Sequence, residues 1–206
     1  MNSAAMHRAL LLLLTAAIVL AGCTATAPVR PAATLVEHAG GFTITDEVGT
    51  NEAVAADFQA AVAALDAGNH ASGIRLLQSV VAREPAATAA HINLGMAYRL
   101  TGRLEEAEAS LETALALKPV HPVALNELGM VYRQAGRFAE ARAQYEAALA
   151  VYPDFHFARR NLAVLCDMYL GDTQCALENY KRYSQAVPGD AEAAMWVADL
   201  QNRIGN

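Results

Sequence analysis

The sequence predicts an all-α fold: a solenoid of about three to four helix-turn-helix hairpins, closed by a C-terminal capping helix. Three observations carry this. Residues 88–155, laid against themselves at a shift of 34, coincide at Leu94-Gly95 and Leu128-Gly129, Tyr98 and Tyr132, Gly102-Arg103 and Gly136-Arg137, and Ala107 and Ala141. The same shift matches Ala114 with Ala148, and Pro119 with Pro153. Between the glycines and prolines the apolar residues recur at helical spacing, one stripe to each helix. Pro85 stands one period before Pro119, so the pattern begins upstream of its clearest copies. A period of this length marks a supersecondary unit that buries its apolar face only against neighbouring copies.

The elements follow in order. Residues 1–22 have a weakly positive start (His7, Arg8), an apolar run from Ala9 to Leu20, and then Leu20-Ala21-Gly22-Cys23. The run is shorter than the roughly 20 apolar residues a spanning helix needs, and its layout is that of a secretory signal. The tetrapeptide resembles the lipobox of bacterial lipoproteins. That resemblance implies cleavage before Cys23 and acylation of its sulfur and new amino group, with several acyl chains giving a stable anchor. Thr24, not Asp, follows the cysteine; in such lipoproteins this implies the outer membrane, facing the periplasm. Residues 23–51 read as an acylated, mostly disordered tether, with Pro28, Pro31 and Gly40-Gly41 opposing helix. Within it Phe42-Thr43-Ile44-Thr45 alternates, as linker or as a short strand packed on the first repeat or on a partner.

Residues 52–87 form a degenerate first repeat, with Phe58, Ala61, Val62 and Leu65 on one helix and Ile74, Leu77, Val80 and Val81 on the next. Residues 88–121 and 122–155 are the clear repeats. Here Gly95 and Gly129 admit close approach of the helices opposite Ala107 and Ala141. Leu111 and Tyr145 are expected to pack the second helix onto the next unit. Residues 156–188 are a third such unit with one extra residue, since Pro153 and Pro188 lie 35 apart. Residues 189–206 form the capping helix, opened by Gly189-Asp190 and carrying Trp196, Val197, Leu200 and Ile204. Trp196 serves there either as a lid on the core or as a binding anchor.

Composition narrows the function classes. The chain of 206 residues carries net charge −6. Without residues 1–22, 14 basic residues face 21 acidic ones, near −7, which argues against nucleic acid as partner. His91, His121 and His156 fall at similar places near the starts of repeats, and units advance by about 10 Å, too far for one metal ion. No Ser-His-Asp order, phosphate loop or zinc spacing appears, so no catalytic residue, metal, cofactor or small-molecule substrate is assigned. Glu105, Glu106 and Glu108 read as a solvated face at a helix start. Cys166 and Cys175 flank the Leu170-Gly171-Asp172 turn. They are either a bridge across the hairpin, formed in an oxidising compartment, or two buried thiols.

The two clear repeats resemble the tetratricopeptide repeat. By that resemblance the first helices line a groove for a partner, formed by Ile92, Met96 and Arg99, then Asn126, Met130 and Arg133, then Arg160 and Val164. Arg99, Arg133 and Arg160 would then form a cationic stripe suited to carboxylates, or pair with neighbouring acids. Chaperone-binding members that clamp a terminal carboxylate use lysines that are absent from the matching positions here. Signal, tether and repeats together resemble tetratricopeptide lipoproteins assigned to TonB-type energy-transduction systems. Anchor plus repeats also resemble pilotins of type IV pili. Either resemblance implies a non-enzymatic scaffold whose partner is another cell-envelope protein; regulation of a cell-wall enzyme is the remaining alternative.

Overall fold

Each helix ends where local chemistry stops it. In the computed structural model, which describes residues 35–38, 41–44 and 51–205, helices α1 (Glu52–Asp66), α2 (His70–Arg83), α3 (Thr88–Leu100), α4 (Leu104–Leu117), α5 (Pro122–Gln134) and α6 (Phe138–Val151) alternate with short turns. They are followed by α7 (His156–Leu165), which continues as a π-helical turn over Cys166–Leu170, then α8 (Thr173–Ala186) and α9 (Ala191–Gly205). Asn51, Asn69 and Asp172 cap α1, α2 and α8 with side-chain oxygens, and His121 caps α5 through Nδ1. Within each clear hairpin the first helix closes on a glycine at φ +76°, Gly102 or Gly136. The amides of Arg103 and Arg137 then reach back to the carbonyls of Tyr98 and Tyr132. Each second helix stops two residues before a proline, and the residue between, Glu84, Lys118, Tyr152 or Val187, takes φ between −127° and −136°.

Antiparallel hairpins α1–α2, α3–α4, α5–α6 and α7–α8 stack in sequence, each second helix packing on the first helix of the next unit. The first helices also touch one another in succession, and α9 packs on α8. This is the expected all-α repeat solenoid. Two strands add to it: β1 (Leu35–His38) pairs antiparallel with β2 (Gly41–Ile44), in the register Leu35↔Ile44 to His38↔Gly41. β2 lies against α3. The stretch read mostly as linker therefore holds a short hairpin, whose first strand the sequence pattern did not reveal. The signal, Cys23 and the rest of the tether lie outside the described residues.

The hairpin interiors depend on a small–small contact. A Cβ at Gly95 would stand 2.6 Å from Leu111 Cγ, and one at Gly129 would stand 2.6 Å from Tyr145 Cε1. Leu111 and Tyr145 thus lie over the glycines inside their own hairpins. The first repeat reverses the pair: Ala61 takes the glycine's place, and Gly73 stands where Ala107 stands, with Leu65 over it. The fourth uses Ala163 and Ala176, both fully buried. Gly129→Ala is expected to cost about 1–3 kcal/mol by overpacking, because the fully buried Tyr145 ring has nowhere to retreat. Adding Tyr145→Leu, which copies the second repeat, should recover much of the loss. Urea unfolding of the two variants checks this.

Candidate functional site

The first helices place polar residues at equivalent positions of successive repeats. Asn93, Glu127 and Asn161 are one such series, and Arg99 and Arg133 are another. In the folded stack Arg99, Glu127 and Asn161 join, through Asn126, into a largely buried line. Arg99 Nε donates to Glu127 Oε2 at 3.0 Å, with side chains 9% and 2% exposed. Asn126 Nδ2 donates to Glu127 Oε1 at 3.2 Å, and Asn161 Nδ2 donates to Asn126 Oδ1 at 2.9 Å. The line crosses from α3 through α5 to α7 and ties three hairpins in register. Satisfied networks of this kind specify one arrangement of a core.

The expected groove changes accordingly. Ile92 and Asn126 are fully buried, and Met96 is nearly so, so these three line no open surface. The physical reason is packing on every side: first helices touch their neighbours as well as the second helices, and β2 lies against α3. Arg99 is spent on Glu127. Met130, Arg133 and Val164 remain partly exposed, and Arg160 is exposed with its guanidinium 5.5 Å from the Trp196 ring. Trp196 itself packs on the core and on Tyr180, ring centroids 5.0 Å apart, which is the lid arrangement. The cationic stripe is therefore broken: one arginine is neutralised, one faces the capping helix, and Arg133 stands between them.

Arg133 meets no carboxylate among the described residues. Its Nε is buried with no carbonyl or carboxylate acceptor, and its polar neighbour is the buried Tyr145 hydroxyl. Burial pushes the Tyr145 phenol up to about 12, with Arg133 pulling the other way. The Arg133 guanidinium lies 5.9 Å from the Tyr169 ring, which in turn packs on Phe138 at 4.8 Å.

Tyr169 belongs to the π-helical turn, and that turn absorbs the extra residue of the fourth hairpin, as such bulges do. Cys166, at its start, is disulfide-bonded to Cys175 on α8, with Cα atoms 5.9 Å apart. Asp172 lies close to both sulfurs, but these are bonded to each other rather than free for a metal. The Cys175 amide, and then Arg142, hold the Asp172 carboxyl below its usual range. Beside Tyr169, Met168 is 71% exposed.

Sequence reasoning missed Glu127 and Tyr169. Glu127 had a signal, an acid inside a helix at a position held by asparagine in the adjoining repeats. Tyr169 had none, because its direction depends on the π turn. The acids read as a solvated face are partly engaged: Glu108 takes a two-oxygen contact from Arg137 Nη1 at 2.8 and 2.9 Å.

Residues 85–154 match the family model described as tetratricopeptide repeat. No curated protein matches the chain. Among solved structures, TTC0263, a thermophilic TPR protein of Thermus thermophilus, is 25% identical over 72% of this chain and 81% of that one, with a TM-score of 0.63. PilF of Pseudomonas aeruginosa is 21% identical, covering 74% and 69%, at 0.67. MamA of Desulfovibrio magneticus RS-1 is 17% identical, covering 76% and 88%, at 0.66. The latter two likenesses are of fold.

Proposed function

We propose that this tetratricopeptide-repeat solenoid is a non-enzymatic scaffold of the cell envelope, moored by acylated Cys23 to the periplasmic face of the outer membrane. It binds an extended or helical segment of another envelope protein. The observation that carries the reading is the face of the first helices. Its interior is closed by the Arg99–Glu127–Asn126–Asn161 line, while Met130, Arg133, Val164 and Arg160 stay accessible from one repeat to the next. Solenoids present such extended surfaces to partners. The lipobox-like Leu20-Ala21-Gly22-Cys23 supports the anchor, and the cystine of the fourth hairpin accords with an oxidising compartment.

An accessory of a TonB-type system is the first reading of the partner. A pilotin-like assembly factor is the second, favoured by the fold likeness to PilF. A photo-crosslinking residue at Val164 should capture one envelope protein that the same residue at exposed Thr113 does not. Identical products from both positions would sink the scaffold reading. Separately, Cys23→Ser should move the protein from the membrane to the soluble periplasmic fraction, since the acyl chains supply the anchoring. Continued membrane association would count against the anchor.

A further inference from the structure

Two arginines at the same position of successive repeats receive different answers from the repeat that follows. Arg99 meets Glu127. At the place corresponding to Glu127, one repeat on, stands Asn161, whose amide is committed to Asn126. Arg133 is thus left with a buried Nε and, among the described residues, no carboxylate, its polar neighbour being the Tyr145 hydroxyl. Arg103, Arg137 and Arg142, by contrast, each hold a carboxylate. A guanidinium partly removed from water without a counter-charge is destabilised, and a carboxylate that reaches it gains a strong, charge-assisted hydrogen bond.

We propose that the partly exposed guanidinium of Arg133 receives a carboxylate side chain of the bound segment, a counter-charge such as Glu127 supplies to Arg99. The residue beside that acid is apolar or aromatic and lies on the Tyr169 ring, 5.9 Å from the guanidinium, and on exposed Met168. The Cys166–Cys175 bond and Phe138 hold the π turn that carries Tyr169 in position. This rests on the scaffold reading and adds the chemistry of the partner: an acidic residue next to a large apolar one. Because the chain is itself acidic, a generally anionic surface is repelled, and the contact selects for a single well-placed acid.

The test uses the full chain, labelled with nitrogen-15, and follows the Arg133 Nε–Hε resonance, assigned by its loss in Arg133→Lys. The probe is a pentapeptide with both ends blocked and Glu between Leu and Phe. Its controls are the same peptide with Gln, and the Gln peptide with a free C-terminal carboxylate. The Glu peptide should move the resonance saturably and bind roughly tenfold tighter than the blocked Gln peptide. Asn161→Glu, which supplies the acid from within, should abolish the shift while the remaining spectrum stays folded. Equal shifts from the Glu and blocked Gln peptides, binding by the free-terminus peptide alone, or a shift that persists in folded Asn161→Glu would each overturn the assignment. Crosslinking from Val164 reads the scaffold independently, so failure of one is distinguishable from failure of the other.

Discussion

Arg99→Ala should lower the unfolding free energy by about 3–5 kcal/mol, the usual cost of leaving one member of a buried ion pair alone. Glu127 is 1% exposed, so water cannot replace the lost guanidinium without opening the interface between α3 and α5. The damage should spread along the line, because Asn126 donates to the other Glu127 oxygen and accepts from Asn161. Replacing both members with apolar residues of similar volume, Arg99→Met with Glu127→Leu, removes the charges together and should restore most of the stability. Urea unfolding with a double-mutant cycle measures this. A single-variant loss below about 1 kcal/mol would mean that the pair behaves as a surface bridge.

Tyr145→Ala carries a comparable expected loss, about 3–5 kcal/mol, by removing the largest fully buried side chain among the described residues and leaving a cavity above Gly129. Tyr145→Phe should cost much less, since the ring that fills the space above Gly129 is kept and only the hydroxyl beside Arg133 is lost. Wild type and Tyr145→Phe also separate by pH. Burial raises the folded-state value to about 12, above the ordinary value of 10, so the folded chain holds this proton more tightly than the unfolded one. That contribution is complete below pH 10 and is lost as pH rises through 12. Wild type should therefore lose stability over that window more steeply than Tyr145→Phe. Parallel alkaline profiles would contradict the burial of the phenol.

The repeat itself was legible in the chain because its chemistry is local. Gly102 and Gly136 need a positive φ, prolines end second helices, and Ala107 and Ala141 recur at the same offset as their glycines. The candidate groove was legible only in part. Position along a helix tells which face a side chain shares, but not what covers that face. Ile92 and Asn126 were assigned to an open surface and lie in a packed one. For Cys166 and Cys175 the chain left both a bridge and two thiols admissible, and proximity across the hairpin is a property of the folded backbone.

By itself, then, the sequence determined the period, the hairpin and the closing helix, all of which follow from backbone restrictions and apolar spacing within about one repeat. Tertiary structure alone decided which charges are satisfied. Whether Arg99 is neutral in effect and Arg133 is not depends on residues 28 positions further along, brought alongside by the stack. It likewise decided where the extra residue goes: the π turn takes it up and brings the Tyr169 ring to 5.9 Å from the Arg133 guanidinium.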